Sequence, residues 1–484
     1  MITQLLAAGV NGVRLNFSHG SHEEHRAKLK AARKAAHELG RSVAIIQDLA
    51  GPKIRLGTLP EEGVKISKGE VLHLSYQASF DELRILPTQY DFSGDVAIGE
   101  HIYLRDGQIK TVITKVAGGI VSVKALNAGV VLSNHGINLP DTVLKGSVLT
   151  PKDRKDVGFA LREDVDYVAL SFVQNADSIH ALRDLLKRGK SRAKIITKIE
   201  TKPAVHHLRE IIAASDAVMI ARGDLGVEVG AENVPIIGRQ IIELAKQAKK
   251  PVIMATQMLE SMMTSIEPSR AEANDVSTAV LLGVDSVMLS GETAIGQFPL
   301  ETVQMMKKII LKAEEYGHGP AHNADFLLED NQIHSARNLL PSSTNTEEQR
   351  YRIVFERDPG SPPTRSALEI QTSIALAAIS LTEQLSAKLI LAETLSGATA
   401  RSISSLRPNT PIIMATPDPR TYNQLAIVWG GKSFLVPGQQ QISNLVLKEL
   451  RKRGNIKKGD LIVSAFGTTH GITGGTDTIR LLQA

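Results

Sequence analysis

The sequence predicts an α/β protein: a TIM (β/α)8-type barrel, a small β-barrel domain inserted into it, and an α/β domain at the C-terminal end. Seven short apolar runs alternate with helical segments, which is typical of parallel strands buried on both faces. Each run stops at polar residues, as barrel strands do at the end that holds the active site. Between about residues 57 and 137, short segments of alternating polarity, separated by Gly and Asp turns, replace this pattern.

The seven runs end at residue types that suit phosphate or metal chemistry. In chain order, the runs and their terminal polar residues are VNGVRLNFS with Arg14, Asn16 and Ser18, VAIIQDLAGPKIR with Asp48, Lys53 and Arg55, DYVALSFV with Ser171, KIITKIE with Lys198 and Glu200, AVMIARGDLG with Arg222 and Asp224, VIMATQM with Thr256, and VMLSGET with Ser290 and Glu292. Because the carboxyl ends of barrel strands meet at one face, we expect these residues to share one active-site mouth.

Helix boundary signals separate the runs. Ser21 followed by Glu24 predicts a capping box, and this helix ends at Gly40. Thr150 followed by Pro151 predicts the start of another helix. The predicted regions are a barrel (residues 1–56 and 138–340), an inserted all-β lid (57–137), a linker rich in Gly, Pro, Ser, Asn and charges (341–366), and a C-terminal α/β domain (367–484).

Composition excludes several classes of protein. The 484 residues are 42% hydrophobic and 22% charged, and no apolar stretch reaches membrane-spanning length, so we expect a cytoplasmic enzyme without a membrane partner. The absence of Cys excludes disulfides, zinc–thiolate sites and thiol nucleophiles. A net charge of +5 and 4% aromatic residues do not favour nucleic-acid binding. The densest basic segment, KELRKRGNIKKGD, is interpreted as a helix C-terminus whose cations complement the helix dipole.

The motifs RLNFSHGS, DLAGPKIR, TKIE, ARGDLGVE, ATQMLESM, SRAEANDV and MLSGETA, in this order, resemble the pyruvate kinase family. RPNTPIIMAT, QLAIVWG and KKGDLIVSAFGTTHG resemble its regulatory domain, so the resemblance covers nearly the whole chain. It implies phosphoryl transfer from phosphoenolpyruvate to ADP, giving pyruvate and ATP, by a homotetramer. The family opens with a strand similar to TKIVATLGP, whereas this chain begins with MITQLLAAGVN; we therefore expect seven barrel strands and exposed strand edges.

Glu200 and Asp224 form the predicted metal pair. Two carboxylates at neighbouring strand ends, without His or Cys, suit Mg²⁺ or Mn²⁺, and the alternative is that both cap helices. The resemblance further implies that backbone N–H groups at Gly223 and Asp224 hold the substrate carboxylate.

Lys198 is two residues from Glu200 and so lies on the same face of its strand, where an ammonium can stabilise developing charge. The alternative is a simple ion pair with Glu200. Arg14 and Arg55 are predicted phosphate clamps, because guanidinium matches phosphate oxygens. The resemblance implies that Lys198 stabilises the transition state and that Thr256 binds substrate; Thr256 and Ser290 are candidates to order the water that protonates the enolate.

The nucleotide site has no Walker motif, since GxxxxGK[ST] is absent. The resemblance implies a site made of Asn16, Arg55 and a lysine of the inserted domain, where this chain has His135. It also implies a monovalent-cation region, which comprises Asn16, Ser18, Asp48, Leu49 and Lys53. Many relatives have Thr and Glu where this chain has Leu49 and Lys53. Because the ammonium of Lys53 can replace a bound cation, we predict activity that does not require K⁺; the alternative is that Lys53 points to solvent.

In the last domain, the turn TLSGAT precedes a helix and can form an anion site. The resemblance implies a phosphorylated allosteric effector there, bound by Thr394, Ser396, Gly397 and Thr399; the alternative is an ordinary helix cap. Two rival functions remain for the whole chain. One is an aldolase that uses Lys198 as a Schiff base, and the other is a regulatory binding protein disabled by the missing first strand.

Overall fold

The computed structural model describes residues 1–76, 78–80, 84–145, 148–318, 351–354, 367–438, 441–467 and 475–484. The chain begins with α1 (Ile2–Ala8), β1 (Gly12–Asn16), α2 (His22–Glu38) and β2 (Ala44–Asp48). The capping box predicted at α2 is confirmed: Ser21 accepts from the Glu24 N–H, and the Glu24 side chain accepts from the Ser21 N–H.

The inserted region is all-β. Its strands are β3 (Val64–Ile66), β4 (Val71–Tyr76), β5 (Ile85–Thr88), β6 (His101–Leu104), β7 (Ile109–Ala117), β8 (Ile120–Ala125), β9 (Gly129–Val131) and β10 (Ile137–Asn138). Six of them form a sheet in the order β10-β6-β7-β8-β4-β5, and β3 pairs with β9. Alternating residues such as Leu72, Leu74, Ile102 and Leu104 form its own core.

The chain then returns to strand–helix alternation. The elements are α3 (Pro151–Arg162), β11 (Tyr167–Leu170), α4 (Asp177–Arg188), β12 (Lys194–Ile199), α5 (Lys202–His206), α6 (Leu208–Ala214), β13 (Ala217–Ala221), α7 (Arg222–Val229), α8 (Val234–Gln247), β14 (Val252–Ala255), α9 (Arg270–Leu282), β15 (Ser286–Val287), α10 (Gly291–Ala294) and α11 (Pro299–His318). The start predicted for α3 is confirmed, with Thr150 as N-cap and Pro151 in the first turn.

The barrel sheet has the order β1-β2-β11-β12-β13-β14-β15, and all neighbouring strands are parallel. Within the described residues the barrel sheet therefore has the seven strands that we expected. Its interior is filled by apolar side chains, including Ala44, Ile196 and Met219. The prediction of a barrel with an inserted β-domain and a C-terminal α/β domain is confirmed.

The third sheet is mixed. Its region contains β16 (Tyr351–Val354), α12 (Ala367–Gln384), β17 (Leu389–Glu393), α13 (Ala398–Ser404), β18 (Ile412–Thr416), α14 (Pro419–Gln424), β19 (Gly431–Leu435), α15 (Ile442–Lys452), β20 (Leu461–Phe466) and β21 (Thr478–Gln483), in the sheet order β16-β21-β20-β17-β18-β19. Within the predicted linker (341–366), residues 351–354 form a strand that pairs antiparallel with β21. The rest of that linker, 341–350 and 355–366, lies outside the described residues.

The C-terminal region closes the amino end of the barrel, opposite the strand ends that carry the predicted site. Tyr167 at the start of β11 donates its hydroxyl to the Gln424 carbonyl at 2.8 Å, and Ser286 donates to the Ile427 carbonyl at 3.1 Å. The Ile427 side chain packs into the barrel interior. Across the described ranges, no helix is both long and apolar enough to cross a membrane.

Candidate active site

The strand ends bring predicted polar residues to one face of the barrel. Asn16 lies opposite Asp48 in the register of β1 and β2. Lys198 lies near the end of β12, and Asp224 lies in the first turn of α7, directly after β13. Thr256 follows the last residue of β14. The parallel sheet therefore places these side chains at its carboxyl edge.

Arg14 is held by a buried carboxylate. Its Nε donates to Asp48 Oδ2 at 2.6 Å, and its Nη2 lies 2.5 Å from the same oxygen. Asp48 is almost fully buried, whereas 24% of the Arg14 side chain is exposed. Nη1 of Arg14 has no protein partner among the described residues. A charge-assisted pair of this kind orients the guanidinium and leaves donors for an anion.

Lys198 sits between two carboxylates and a hydroxyl. Its Nζ donates to Ser171 Oγ at 2.8 Å and lies 3.0 Å from Glu200 Oε1 and 3.7 Å from Asp48 Oδ1. Burial lowers the pKa of Lys198, but the charges of Asp48 and Glu200 outweigh this effect, so the net pKa is raised. Lys198 is thus a permanent ammonium, which disfavours the aldolase alternative because a Schiff base needs a neutral amine.

Glu200 is a fully buried carboxylate that needs a cation. Its Oε2 accepts from the Phe172 N–H at 2.9 Å. Its Oε1 has no partner with hydrogen-bond geometry, although Lys198 Nζ is near. Burial raises the pKa of Glu200, the ammonium of Lys198 opposes this effect, and the negative charge of Asp224 adds to it, so that the net pKa is raised. An oxygen in this setting is suited to bind a cation.

Asp224 is the exposed member of the predicted metal pair, with 32% of its side chain accessible. Lys53 Nζ lies 3.6 Å from Asp224 Oδ1 and 3.1 Å from Asp106 Oδ1 of the inserted domain. Over the described residues, no group of three or more His, Cys, Asp or Glu side chains could hold a metal. Two carboxylates, one with an orphaned buried oxygen, fit Mg²⁺, which takes few protein ligands and keeps waters and substrate oxygens.

Thr256 has a left-handed backbone conformation directly after the end of β14. Its φ is 68° and that of Gln257 is 53°, both in the left-handed region. Thr256 Oγ1 accepts from the Gly223 N–H at 2.9 Å. Arg222 donates to the carbonyls of Thr256 and Gln257 and pairs with Asp275. Arg222 therefore holds the loop that presents the Thr256 hydroxyl.

Both α/β regions match known family models. Residues 1–303 match the model described as pyruvate kinase, barrel domain, and residues 372–482 match pyruvate kinase, alpha/beta domain. The chain belongs to the pyruvate kinase family.

Similar proteins extend over the whole chain. A pyruvate kinase from Agrobacterium vitis is 38% identical and covers 100% of this chain and 95% of its own length. One from Mycobacterium tuberculosis is 34% identical, with coverages of 99% and 94%. The crystal structure of a pyruvate kinase from Cryptosporidium parvum superposes with a TM-score of 0.84 at 30% identity and covers 100% of this chain and 92% of its own.

The pyruvate kinase resemblance assigned three residues to the nucleotide, and the structure groups two of them. Arg55 Nη1 donates to the Asn134 carbonyl at 2.9 Å, next to His135. His135 Nδ1 accepts from the Leu132 N–H at 3.0 Å, and burial, followed by the charge of Arg105, lowers the pKa of His135. No hydrogen bond joins Asn16 to Arg55 or His135 within the described residues; its Oδ1 accepts from the Ser18 N–H.

The residues predicted to form the monovalent-cation region have different surroundings in the structure. Leu49 is buried and its N–H donates to the Ala169 carbonyl, while Ser18 is exposed. Lys53 points neither to Asp48 nor freely into solvent, because its ammonium bridges Asp106 and Asp224. The Lys53 charge therefore reaches the predicted metal carboxylate from the side of the inserted domain.

Ser290 directly precedes α10 as its N-cap residue. Its N–H donates to Glu292 Oε2 at 2.7 Å, and no hydrogen bond joins it to Lys198 or Thr256 in the described parts of the chain. The water-ordering role of Ser290 stays a prediction.

The predicted effector loop is engaged with the protein itself. Thr394 Oγ1 accepts from the Gly397 N–H at 2.9 Å, and Thr399 Oγ1 lies 2.7 Å from Thr476 Oγ1. The Ser396 carbonyl accepts from Lys194 and Arg401. No side chain caps the N-terminus of α13, whose N-cap residue is Gly397, and the effector assignment stays a prediction.

Three residues at the site received no role from the sequence. Ser171 bridges Lys198 and the Leu49 carbonyl, and Arg222 supports Thr256. Both residues stand at the ends of apolar runs that were predicted to be strands, so the sequence indicated where they lie. Asp106, the partner of Lys53, lies in a turn of the inserted domain, and no sequence pattern marked it.

Proposed function

We propose that the protein transfers the phosphoryl group of phosphoenolpyruvate to ADP, forming pyruvate and ATP, with Mg²⁺ or Mn²⁺ and without a K⁺ requirement. The arrangement of Lys198 among Asp48, Ser171 and Glu200, at the strand ends that also carry Arg14 and Asp224, carries this proposal. Family membership over both domains supports the reaction. We further propose the cytoplasm as its location and a homotetramer as its assembly, on the basis of the family.

Phosphoryl transfer needs positioning and charge stabilisation rather than covalent chemistry with the protein. Arg14, held by Asp48, binds phosphoryl oxygens through its remaining N–H groups. Lys198 neutralises charge as the phosphoryl group moves and the enolate oxygen develops. Glu200 and Asp224 would hold the divalent cation, which when bound supplies Lewis-acid neutralisation of phosphate charge.

The enolate must be protonated after transfer, and we propose that Thr256 takes part in this protonation. Its Oγ1 accepts from the Gly223 N–H, so its own hydroxyl proton is available to an acceptor such as a water or the substrate. Ser290 is the second residue proposed to order that water. Backbone N–H groups at Gly223 and Asp224, in the first turn of α7, are proposed to hold the substrate carboxylate, which would have to take over the Gly223 N–H from Thr256 Oγ1.

Asn16, Arg55 and His135 are proposed to bind ADP. His135 is a weaker phosphate partner than a lysine, because its lowered pKa favours the neutral imidazole. A phosphorylated effector is proposed at Thr394, Ser396, Gly397 and Thr399; it would have to take over the Gly397 N–H from Thr394. Saturation curves for phosphoenolpyruvate, with and without sugar phosphates, test this assignment.

The decisive experiment measures pyruvate formation from phosphoenolpyruvate and ADP with Mg²⁺, in buffers whose monovalent cation is K⁺ or tetramethylammonium. Equal rates in both buffers support the proposed reaction and the absence of a K⁺ requirement. Activity only with K⁺ supports the reaction and contradicts the claim that K⁺ is not required. No activity in either buffer, from a folded chain, favours the non-catalytic alternative. Borohydride trapping with pyruvate should label nothing, and labelling at Lys198 would favour the aldolase.

A further inference from the structure

Helix α7 carries a carboxylate of the predicted metal pair near its start and contacts the inserted domain near its end. Asp224 lies in its first turn, whereas Val227 and Glu228 lie in its last turn. Val227 packs against Gly107, in the turn between β6 and β7. Glu228 Oε1 accepts from Asn138 Nδ2, in β10, at 3.1 Å. One short helix therefore connects the metal pair to two segments of the inserted domain.

The approach of Gly107 to Val227 requires a glycine. Gly107 has φ 89°, in the left-handed region, and a Cβ at this position would lie 2.8 Å from Val227 Cγ1 and 3.1 Å from Val227 Cγ2. Asp106, its neighbour in the turn, lies 3.1 Å from the Lys53 ammonium. Lys53 in turn lies 3.6 Å from Asp224. The close packing thus brings the turn that holds Lys53 against the helix that carries Asp224.

Glu228 is a partly buried carboxylate that is held by hydrogen bonds. It forms no ion pair within the ranges that the structure describes. Burial raises the pKa of Glu228 to about 7, although hydrogen bonds from Asn138 and from the backbone of Lys202 oppose this effect. The negative charges of Asp224 and Glu200 add to it. Removal of the Asn138 amide would leave a charged oxygen without its donor, which costs more than the loss of a hydrogen bond between neutral groups.

A second, exposed contact joins the same part of the inserted domain to the barrel. Asp141 follows Asn138 by three residues and accepts from Lys202 Nζ of α5 at 2.8 Å. Its other oxygen lies 2.8 Å from His101 Nδ1 of β6. The ammonium of Lys202 also acts on Glu228, but from a longer range. Because 44% of the Lys202 side chain is exposed, this ion pair should contribute less than the hydrogen bond at Glu228.

Two of the residues proposed to bind ADP lie beside β10. His135 precedes Asn138 by three residues, and Arg55 forms a β-bridge with the residue that follows His135. The position of β10 on α7 therefore determines where these two residues lie relative to the barrel.

We propose that Glu228 is a positioning residue. Through Asn138, and together with the contact between Gly107 and Val227, it fixes the inserted domain on α7. This sets the distance between the ADP-binding residues and Asp224. Because ADP binding belongs to the proposed function, the consequence for kinetics rests on that function, whereas the consequence for domain geometry does not.

Distances between the two domains test the geometry directly. The chain has no Cys, so Lys124→Cys in β8 and Lys187→Cys in α4 allow one spin label on the inserted domain and one on the barrel. Both lysines are exposed. Double electron–electron resonance on the otherwise unchanged full chain should give a narrow distance distribution. Glu228→Ala and Asn138→Ala should each broaden or shift it, because each removes the hydrogen bond between α7 and β10.

Glycine variants provide a matched pair. Gly107→Ala adds a methyl group against Val227, whereas Gly99→Ala adds one at φ 92° with no atom within 4 Å. Both substitutions bear the strain of a left-handed alanine, so only Gly107→Ala should change the distance distribution. Glu243→Ala, at an exposed carboxylate of α8, is the control for Glu228→Ala.

Steady-state kinetics measure the consequence for ADP. Glu228→Ala and Asn138→Ala should raise KM for ADP by about tenfold, as expected for the loss of a hydrogen bond to a charged group. KM for phosphoenolpyruvate should stay nearly unchanged, because Arg14 and Lys198 lie on barrel strands. Glu228→Gln, which keeps an oxygen for the Asn138 amide, should restore most of the affinity for ADP. A merely structural role would instead lower Tm and kcat and leave both KM values unchanged.

Failure of the positioning role and failure of the proposed function give different results. An inactive wild type contradicts the proposed function, while the distance distributions still decide the role of Glu228. Unchanged distributions in Glu228→Ala and Asn138→Ala overturn that role, and Asn138→Ala alone decides if Glu228→Ala does not fold. In an active enzyme, an unchanged KM for ADP in these variants also overturns it. An equal change in Gly99→Ala and Gly107→Ala overturns the part assigned to the Gly107 contact.

Discussion

Lys194 and Lys198 lie on the same face of β12, four residues and about 13 Å apart at the usual rise of a strand, yet their environments have opposite effects. At the carboxyl end, Asp48 and Glu200 outweigh burial and raise the pKa of Lys198. At the amino end, burial and the charge of Arg401 lower the pKa of Lys194 to about 7. One strand thus carries a lysine that stays protonated in the active site and a lysine whose charged form is disfavoured at a domain interface. The neighbouring elements, rather than the strand, decide the charge state.

Replacing the two lysines separately should give the largest contrast. Lys198→Met should reduce kcat by about 10²–10³-fold, the cost of losing one preorganised group that stabilises developing charge. Lys194→Met should keep most of the activity because its side chain is at the other end of the barrel. Steady-state pyruvate formation, with unfolding curves to verify folding, measures both. A loss of less than tenfold in Lys198→Met would contradict the assigned role.

The two carboxylates of the predicted metal pair should control the response to Mg²⁺. Glu200→Gln or Asp224→Asn should raise the Mg²⁺ concentration for half-maximal activity by about 10–100-fold, because each removes a charged oxygen ligand. Asp106→Asn is the matched control, since Asp106 contacts Lys53 but lies outside the metal pair. An equal shift in Asp106→Asn would show that the effect is general electrostatics rather than metal binding.

Lys194 should make stability depend on pH. Its pKa is about 7 in the folded chain and near 10.5 when unfolded, so between these values the unfolded chain binds more protons and stability rises with pH. Below pH 7 the folded state bears the full cost of the buried charge. Lys194→Met should therefore raise Tm by roughly 2–4 °C at pH 6.5, if about 1 kcal/mol is recovered. This gain should disappear near pH 10.5; a constant gain would show that packing, not charge, is responsible.

The smallest expected effect concerns Lys53. Lys53→Gln removes the ammonium beside Asp224, so activity should become sensitive to added K⁺ while the wild type stays insensitive. Rates in K⁺ and tetramethylammonium buffers measure the difference. Lys448→Gln is the control for loss of one positive charge. If Lys53→Gln is also insensitive, the Lys53 ammonium does not substitute for a cation.

The fold was predictable because each barrel strand is a continuous apolar run that ends at a polar group. The same signal located Lys198, Glu200, Asp224 and Thr256 at one edge, since parallel strands align their carboxyl ends. Partners from distant segments were not predictable. Asp106 reaches Lys53 only because the inserted domain folds over the barrel end. The strand at 351–354 escaped recognition because it is short and surrounded by polar, Gly- and Pro-containing sequence.

Residues that meet between domains were also not predictable from local sequence. Lys246 and Arg401 line one cleft, although they are separated by more than 150 residues and belong to different domains, so no local pattern joins them. Likewise, the TLSGAT turn has the composition of an anion site, but its hydroxyls form hydrogen bonds within the protein. Composition predicts which groups are present, whereas only packing determines which remain available.

Strand β16 has a practical consequence for dissecting the molecule. It pairs antiparallel with β21, so the outermost strand of the third sheet comes from chain that precedes the first helix of that region. A fragment that starts at Ala367 would leave one edge of β21 as an unpaired row of N–H and C=O groups. Such an edge invites a strand from another copy, so a fragment intended to remain monomeric should start before Tyr351.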